Sequence, residues 1–135
     1  MGDPTCDQRI DAYLTRELKD LRHLWGPDHD EDGCKCDEGS RWDHGLSFDY
    51  VAAGTFKGQR EGYYRFQLST GGPGDEFRFY ADAAGKLHRI EYWFLDWFDG
   101  AHRTLSGSDA ALLRDIFEDF QEVGAVEKAL ADSKA

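Results

Sequence analysis

Three groups of residues in this sequence have types and spacings that could do chemistry. The first is a set of soft and borderline metal ligands, His23, His29, Cys34, Cys36 and His44, gathered around one polar stretch. Four of them, Cys34, Cys36, His29 and His44, could bind zinc tetrahedrally, with His23 as a substitute, and a metal there would order an otherwise solvated loop. The C-x-C spacing is tighter than the usual structural zinc pattern. The competing reading is a polar loop with idle thiols, and the expectation is no cofactor, with zinc as the alternative. The acids from Asp28 to Glu38 do not match the regular calcium loop either.

The second group is the string Tyr92-Trp93-Phe94-Leu95-Asp96-Trp97-Phe98-Asp99-Gly100. It is aromatic at odd and even positions alike. Either both faces of that segment are covered, or one is a contact surface. Trp93 and Trp97 beside Asp96 and Asp99 could grip Arg or Lys through cation–π contact and carboxylate pairing. The same residues offer an acid–base alternative, an enzyme using Asp96 or Asp99 beneath the two indoles. No nucleophile elbow, H-E-x-x-H helix or dinucleotide turn supports catalysis, and no catalytic residue is assigned. Ser69 to Gly74 lacks the lysine of a phosphate loop and reads as a hairpin turn. His88 and His102 stand alone as surface or packing histidines.

The third group is the carboxylates. Asp and Glu total 27 against 16 Lys and Arg, a net charge of -11. That field disfavours nucleic acid and anionic membrane surfaces and favours cationic partners. The candidate partner-binding acids are Asp28, Asp30, Glu31, Asp32, Asp37 and Glu38 in one segment and Asp115, Glu118, Asp119 and Glu122 in another. Paired carboxylate oxygens can imitate phosphates before Arg and Lys. The partner expected is therefore a protein with a basic groove, with no direct nucleic-acid binding and no membrane.

The elements that must position these groups can be read from periodicity. Ile10, Tyr13, Leu14, Leu18, Leu21, Leu24 and Trp25 recur at helical spacing, so residues 4–25 form a helix with Asp3 as N-cap, ended by Gly26-Pro27. Residues 26–45 are an acidic loop. Residues 46–98 alternate with period two, as in Phe48/Tyr50, Tyr64/Phe66/Leu68, Phe77/Phe79 and Ile90/Tyr92/Phe94, and short Gly-bearing connections join them. Residues 106–132 are helical, with Ser106 and Asp109 as a capping box and a break at Gly124. The expected fold is one α+β domain: an N-terminal helix, a four-stranded antiparallel meander, and a C-terminal helix or helix pair. No run approaches the roughly 18 apolar residues of a membrane span. No secretory signal is visible, and three cysteines with one C-x-C pair suit a reducing cytosol.

The strings Tyr64-Arg65-Phe66-Gln67-Leu68-Ser69-Thr70-Gly71-Gly72-Pro73, Asp75-Glu76-Phe77-Arg78-Phe79 and Glu91 to Ala101 resemble small, largely uncharacterised proteins carried by bacteriophages, plasmids and other bacterial mobile elements. The resemblance covers residues 46–102 and brings no catalytic assignment. It implies a bacterial cytoplasmic setting and an anti-defence role. Anti-CRISPR and anti-restriction proteins are the familiar examples, and some imitate DNA with carboxylates. The resulting expectation is an acidic, non-enzymatic inhibitor of a nucleic-acid-processing defence complex. The alternatives are a zinc-binding accessory module and the acid–base enzyme.

Overall fold

A computed structural model describes residues 5–25, 47–69, 73–82, 84–96 and 99–134. In chain order these form α1 (Cys6–Trp25), β1 (Ser47–Val51), β2 (Tyr63–Ser69), β3 (Gly74–Ala81), β4 (Leu87–Asp96), β5 (Asp99–Thr104), α2 (Gly107–Glu122) and α3 (Ala125–Ser133). The strands pair antiparallel in sequence order as one five-stranded meander. The fold is α+β, with one strand more than the four expected from sequence. The extra strand is β5, Asp-Gly-Ala-His-Arg-Thr, which has little strand propensity of its own and buries only Ala101. Pairing with β4, from Asp96 opposite Asp99 to Glu91 opposite Thr104, overrides that weakness.

Alternation along the strands sends one row of side chains to the helices. Tyr64, Phe66, Phe77, Phe79, Ile90, Tyr92, Phe94 and Ala101 join Ile10, Leu18 and Leu21 of α1, four side chains of α2 and two of α3 in one core. Phe117 of α2 is its hub. Its ring lies 5.0 Å from Phe79, 5.4 Å from Tyr64 and 6.4 Å from Phe48. Phe120 stacks on Phe48 at 4.3 Å. The opposite row carries a smaller buried cluster, Val51, Tyr63 and Tyr80.

The N-terminal ends of α1 and α2 differ from the sequence reading, while Asp3, Gly26 and Pro27 lie outside the described residues. At α1, Thr5 and Gln8 form the reciprocal cap: the Gln8 amide donates to Thr5 Oγ1 (3.2 Å) and the Thr5 amide to Gln8 Oε1 (2.9 Å). At α2, Ser106 occupies the N-cap without a side-chain bond, so the expected capping box with Asp109 does not form. Asp109 instead pairs with Arg22 of α1. The expected break at Gly124 is present, with φ of +82° separating α2 from α3.

Candidate functional site

The carboxylates of the aromatic string are committed to holding α1. The Arg9 guanidinium donates to Asp96 Oδ2 at 2.6 Å and lies over the Phe94 ring. Asp99 Oδ2 accepts the Cys6 amide at 2.7 Å, at the first turn of α1, where exposed N–H groups favour a carboxylate. That bond, first among its influences, holds the Asp99 carboxyl below the usual range. Burial first, and the bond with Asp99 second, push the Cys6 thiol up. Arg103 of β5 reaches the same helix, 3.0 Å from Asp7 and 3.1 Å from Asp11. Trp93 projects from the opposite face of β4, so Asp96 and Trp93 are not brought together as the acid–base alternative requires. Trp97 lies outside the described residues.

On α2 the four candidate acids divide. Asp119 accepts the Trp25 indole N–H at 2.6 Å and ties α2 to the end of α1. Asp115, Glu118 and Glu122 are exposed at helical spacing and enter no ion pair among the described residues. Most other described carboxylates are engaged: Asp49 with Arg65, Glu61 with Arg89, Glu76 with Arg78, Asp132 with Lys128. The remaining candidates Asp28, Asp30, Glu31, Asp32, Asp37 and Glu38 lie outside the described residues, as do Cys34, Cys36, His29 and His44. Among the described residues no cluster of His, Cys, Asp or Glu is placed to hold a metal. No helix among them is long and apolar enough to cross a membrane.

The face of the sheet opposite the helices carries a constellation that the sequence reading did not single out. Arg78 of β3 lies between two rings, its guanidinium carbon 3.8 Å from the Trp93 centroid and 4.5 Å from Tyr63. Trp93 stacks in turn on His102 of β5 at 4.5 Å. One strand position away, Arg89 covers Tyr80 at 3.9 Å. Glu76 and Glu91 balance the two arginines from buried positions: Arg78 Nε donates to Glu76 at 2.7 Å, and the Trp93 indole donates to Glu91 at 3.0 Å. Arg89 Nε lies 3.2 Å from Glu91 but is misaligned for a hydrogen bond. It and the Tyr63 hydroxyl are buried polar atoms without a hydrogen-bond partner. The signal available in the sequence was the placement of Arg65, Arg78 and Arg89 on the polar side of the period-two pattern, interleaved with Tyr63, Tyr80 and Trp93.

The connection of residues 52–62 stands beside this face. Gln59 staples it, its side chain accepting the Phe56 amide (3.0 Å) and donating to the Glu61 carbonyl (2.8 Å). Between the loop and the strands is a cleft of about 480 Å³, lined by Phe56, Lys57, Arg60 and Glu61 from the loop and by Tyr63, Arg78, Tyr80, Arg89 and Trp93 from the sheet. A larger space of about 580 Å³ lies where Tyr50 and Tyr64 meet Val126 and Leu130, and its charged lining is Asp82 and Glu127.

A third titratable cluster lies on the helix side. Asp75 accepts the Tyr92 hydroxyl at 2.6 Å and the Ser69 hydroxyl at 2.5 Å. Glu17 of α1 sits beside it. Burial first, and the Asp75 charge second, push the Glu17 carboxyl up to about 8. Tyr92 is pushed above the ordinary phenol value, again chiefly by burial and then by its bond to Asp75. The group keeps a proton within a packed interface and leaves Tyr92 a donor.

Compared with protein-family models, curated proteins and solved structures, the chain matches none.

Proposed function

We propose that this protein is a non-enzymatic, acidic binding protein of a bacterial mobile element. In this reading it acts in the bacterial cytoplasm as an anti-CRISPR-like inhibitor, setting carboxylates against a basic nucleic-acid-binding surface of a defence complex. The observation that carries this reading is the outer ridge of α2. Asp115, Glu118 and Glu122 are exposed and outside every ion pair among the described residues, while most other described acids are spent on internal partners. Unpaired carboxylates on a helix remain available to Arg and Lys of a partner, and they make association fast and salt-sensitive. Residues 26–45 add seven acids against Lys35 and Arg41, five of the eleven excess negative charges of the chain.

The test is capture from bacterial lysate by the tagged full chain, at low and at moderate ionic strength, beside the variant D115K/E118K/E122K. The expected result is retention of a nucleic-acid-processing complex by the parent chain. Retention falls at the higher ionic strength, and the variant loses at least about tenfold in affinity. Failure to retain such a complex under either condition, or equal retention by the variant, overturns the proposal.

A further inference from the structure

The geometry points to a small-ligand site in the cleft between the 52–62 loop and the sheet, one that takes a phosphate attached to a planar ring, the chemistry of a mononucleotide. It lies on the face opposite the helices and does not depend on the role of the α2 ridge. Its volume of about 480 Å³ falls within the range of ordinary ligand pockets, about 300–1,000 Å³.

The charge of the lining argues for an anion. Arg78 and Arg89 are balanced by Glu76, Glu91 and Glu61, so the cations left for a ligand are Lys57 and Arg60, in a chain whose net charge is -11. Lys57 and Arg60 are exposed on the rim and enter no ion pair among the described residues. Two unpaired cations at the mouth of a cleft attract an anion whatever the net charge of the molecule. That net charge also limits the ligand: each further phosphate of a polymer would lie outside the cleft in a repelling field, so the site suits a single nucleotide rather than a strand.

The aromatic lining argues for a ring. Phe56 is 51% exposed at the mouth, an unusual position for a phenyl group held by an ordered loop. Trp93 is half-buried beneath the Arg78 guanidinium. Arg78 and His102 already cover the two faces of Trp93, so the ring left for a base to stack on is the exposed Phe56 at the mouth. An unsatisfied donor argues independently for a ligand. Tyr63 is 2% exposed, lines the cleft, and has a hydroxyl without a hydrogen-bond partner. A buried donor left unmade is costly, and a ligand oxygen would satisfy it.

The experiment is calorimetric titration of the full chain with AMP, adenosine, inorganic phosphate and a short oligoadenylate, with amide and indole chemical shifts mapping the site. The rim variant K57A/R60A is used because replacing Arg78 would also remove a packed ion pair. An unchanged Tm shows that the variant is folded. Expected are saturable AMP binding that perturbs Trp93, adenosine and phosphate each at least about tenfold weaker, and a loss of roughly ten- to hundredfold in the variant. No saturation by AMP up to about 10 mM overturns the assignment. So do phosphate alone binding as well as AMP, the oligonucleotide binding more tightly than AMP, and a variant that binds like the parent.

Discussion

At the residue scale, three acids respond to pH, two in one sense and one in the other. Asp99 is held below the ordinary carboxyl range by the Cys6 amide, and Asp82 is held low in the same way by the Lys86 and Ala84 amides of its turn. A depressed folded pKa stabilises above the unfolded value near 3.9, and the contribution is lost as pH falls through the folded value. D99N should therefore lower Tm at neutral pH by several degrees and flatten the decline below about pH 4. Thermal unfolding across that range measures it, and parallel curves for parent and variant would remove Asp99 as a cap. Glu17 works the other way. Its pKa is raised, so its contribution is most favourable below about pH 4.3 and is lost as pH rises toward about 8. E17Q should be less sensitive than the parent between pH 5 and 9 and gain relative stability at the alkaline end. An unaltered slope would mean that Glu17 is solvated.

At the element scale, the helices are fixed to the sheet by a few large rings and by the α2–α3 break. Phe117 is buried against Phe48, Tyr64 and Phe79. F117A should cost about 3–5 kcal/mol, since truncation leaves a cavity among rings that cannot collapse fully. Gly124 has φ of +82° with open space around the position a Cβ would take. G124A should cost about 1–2 kcal/mol from backbone strain alone, with G124N milder because Asn tolerates the left-handed region. Urea unfolding of both variants checks these values, and a G124A protein as stable as the parent would show that the break can repack.

At the scale of the whole molecule, a large negative net charge does not make a uniformly negative surface. Asp7, Asp11, Asp49, Asp96 and Asp109 each meet an arginine, and the rim of the cleft beside β2–β4 carries two cations, Lys57 and Arg60, outside every ion pair among the described residues. The unpaired α2 ridge and the arginine–aromatic cleft face different ligands. Charge reversal on α2 is expected to leave AMP binding unchanged, and K57A/R60A to leave partner capture unchanged, with the two titrations run on both variants as the check. Capture through the ridge should also weaken as the Debye length falls from about 10 Å at 0.1 M salt to about 3 Å at 1 M.

The amino-acid order by itself determined the helices, the first four strands, the connections around residues 57–59 and 84–86, and most residues of the main core. Each is written in a local period of 3.6 or two, and burial follows the period. It also determined the excess of acids, because charge is a sum over residues. Only the tertiary structure decided which acids remain free. Asp99 and Asp96 became supports for α1, whereas Asp115 and Glu118 enter no ion pair among the described residues. The fifth strand and the Tyr63–Arg78–Trp93 stack depended on it too. They arise from pairing between strands, which places residues far apart in sequence side by side, and no local period records that adjacency.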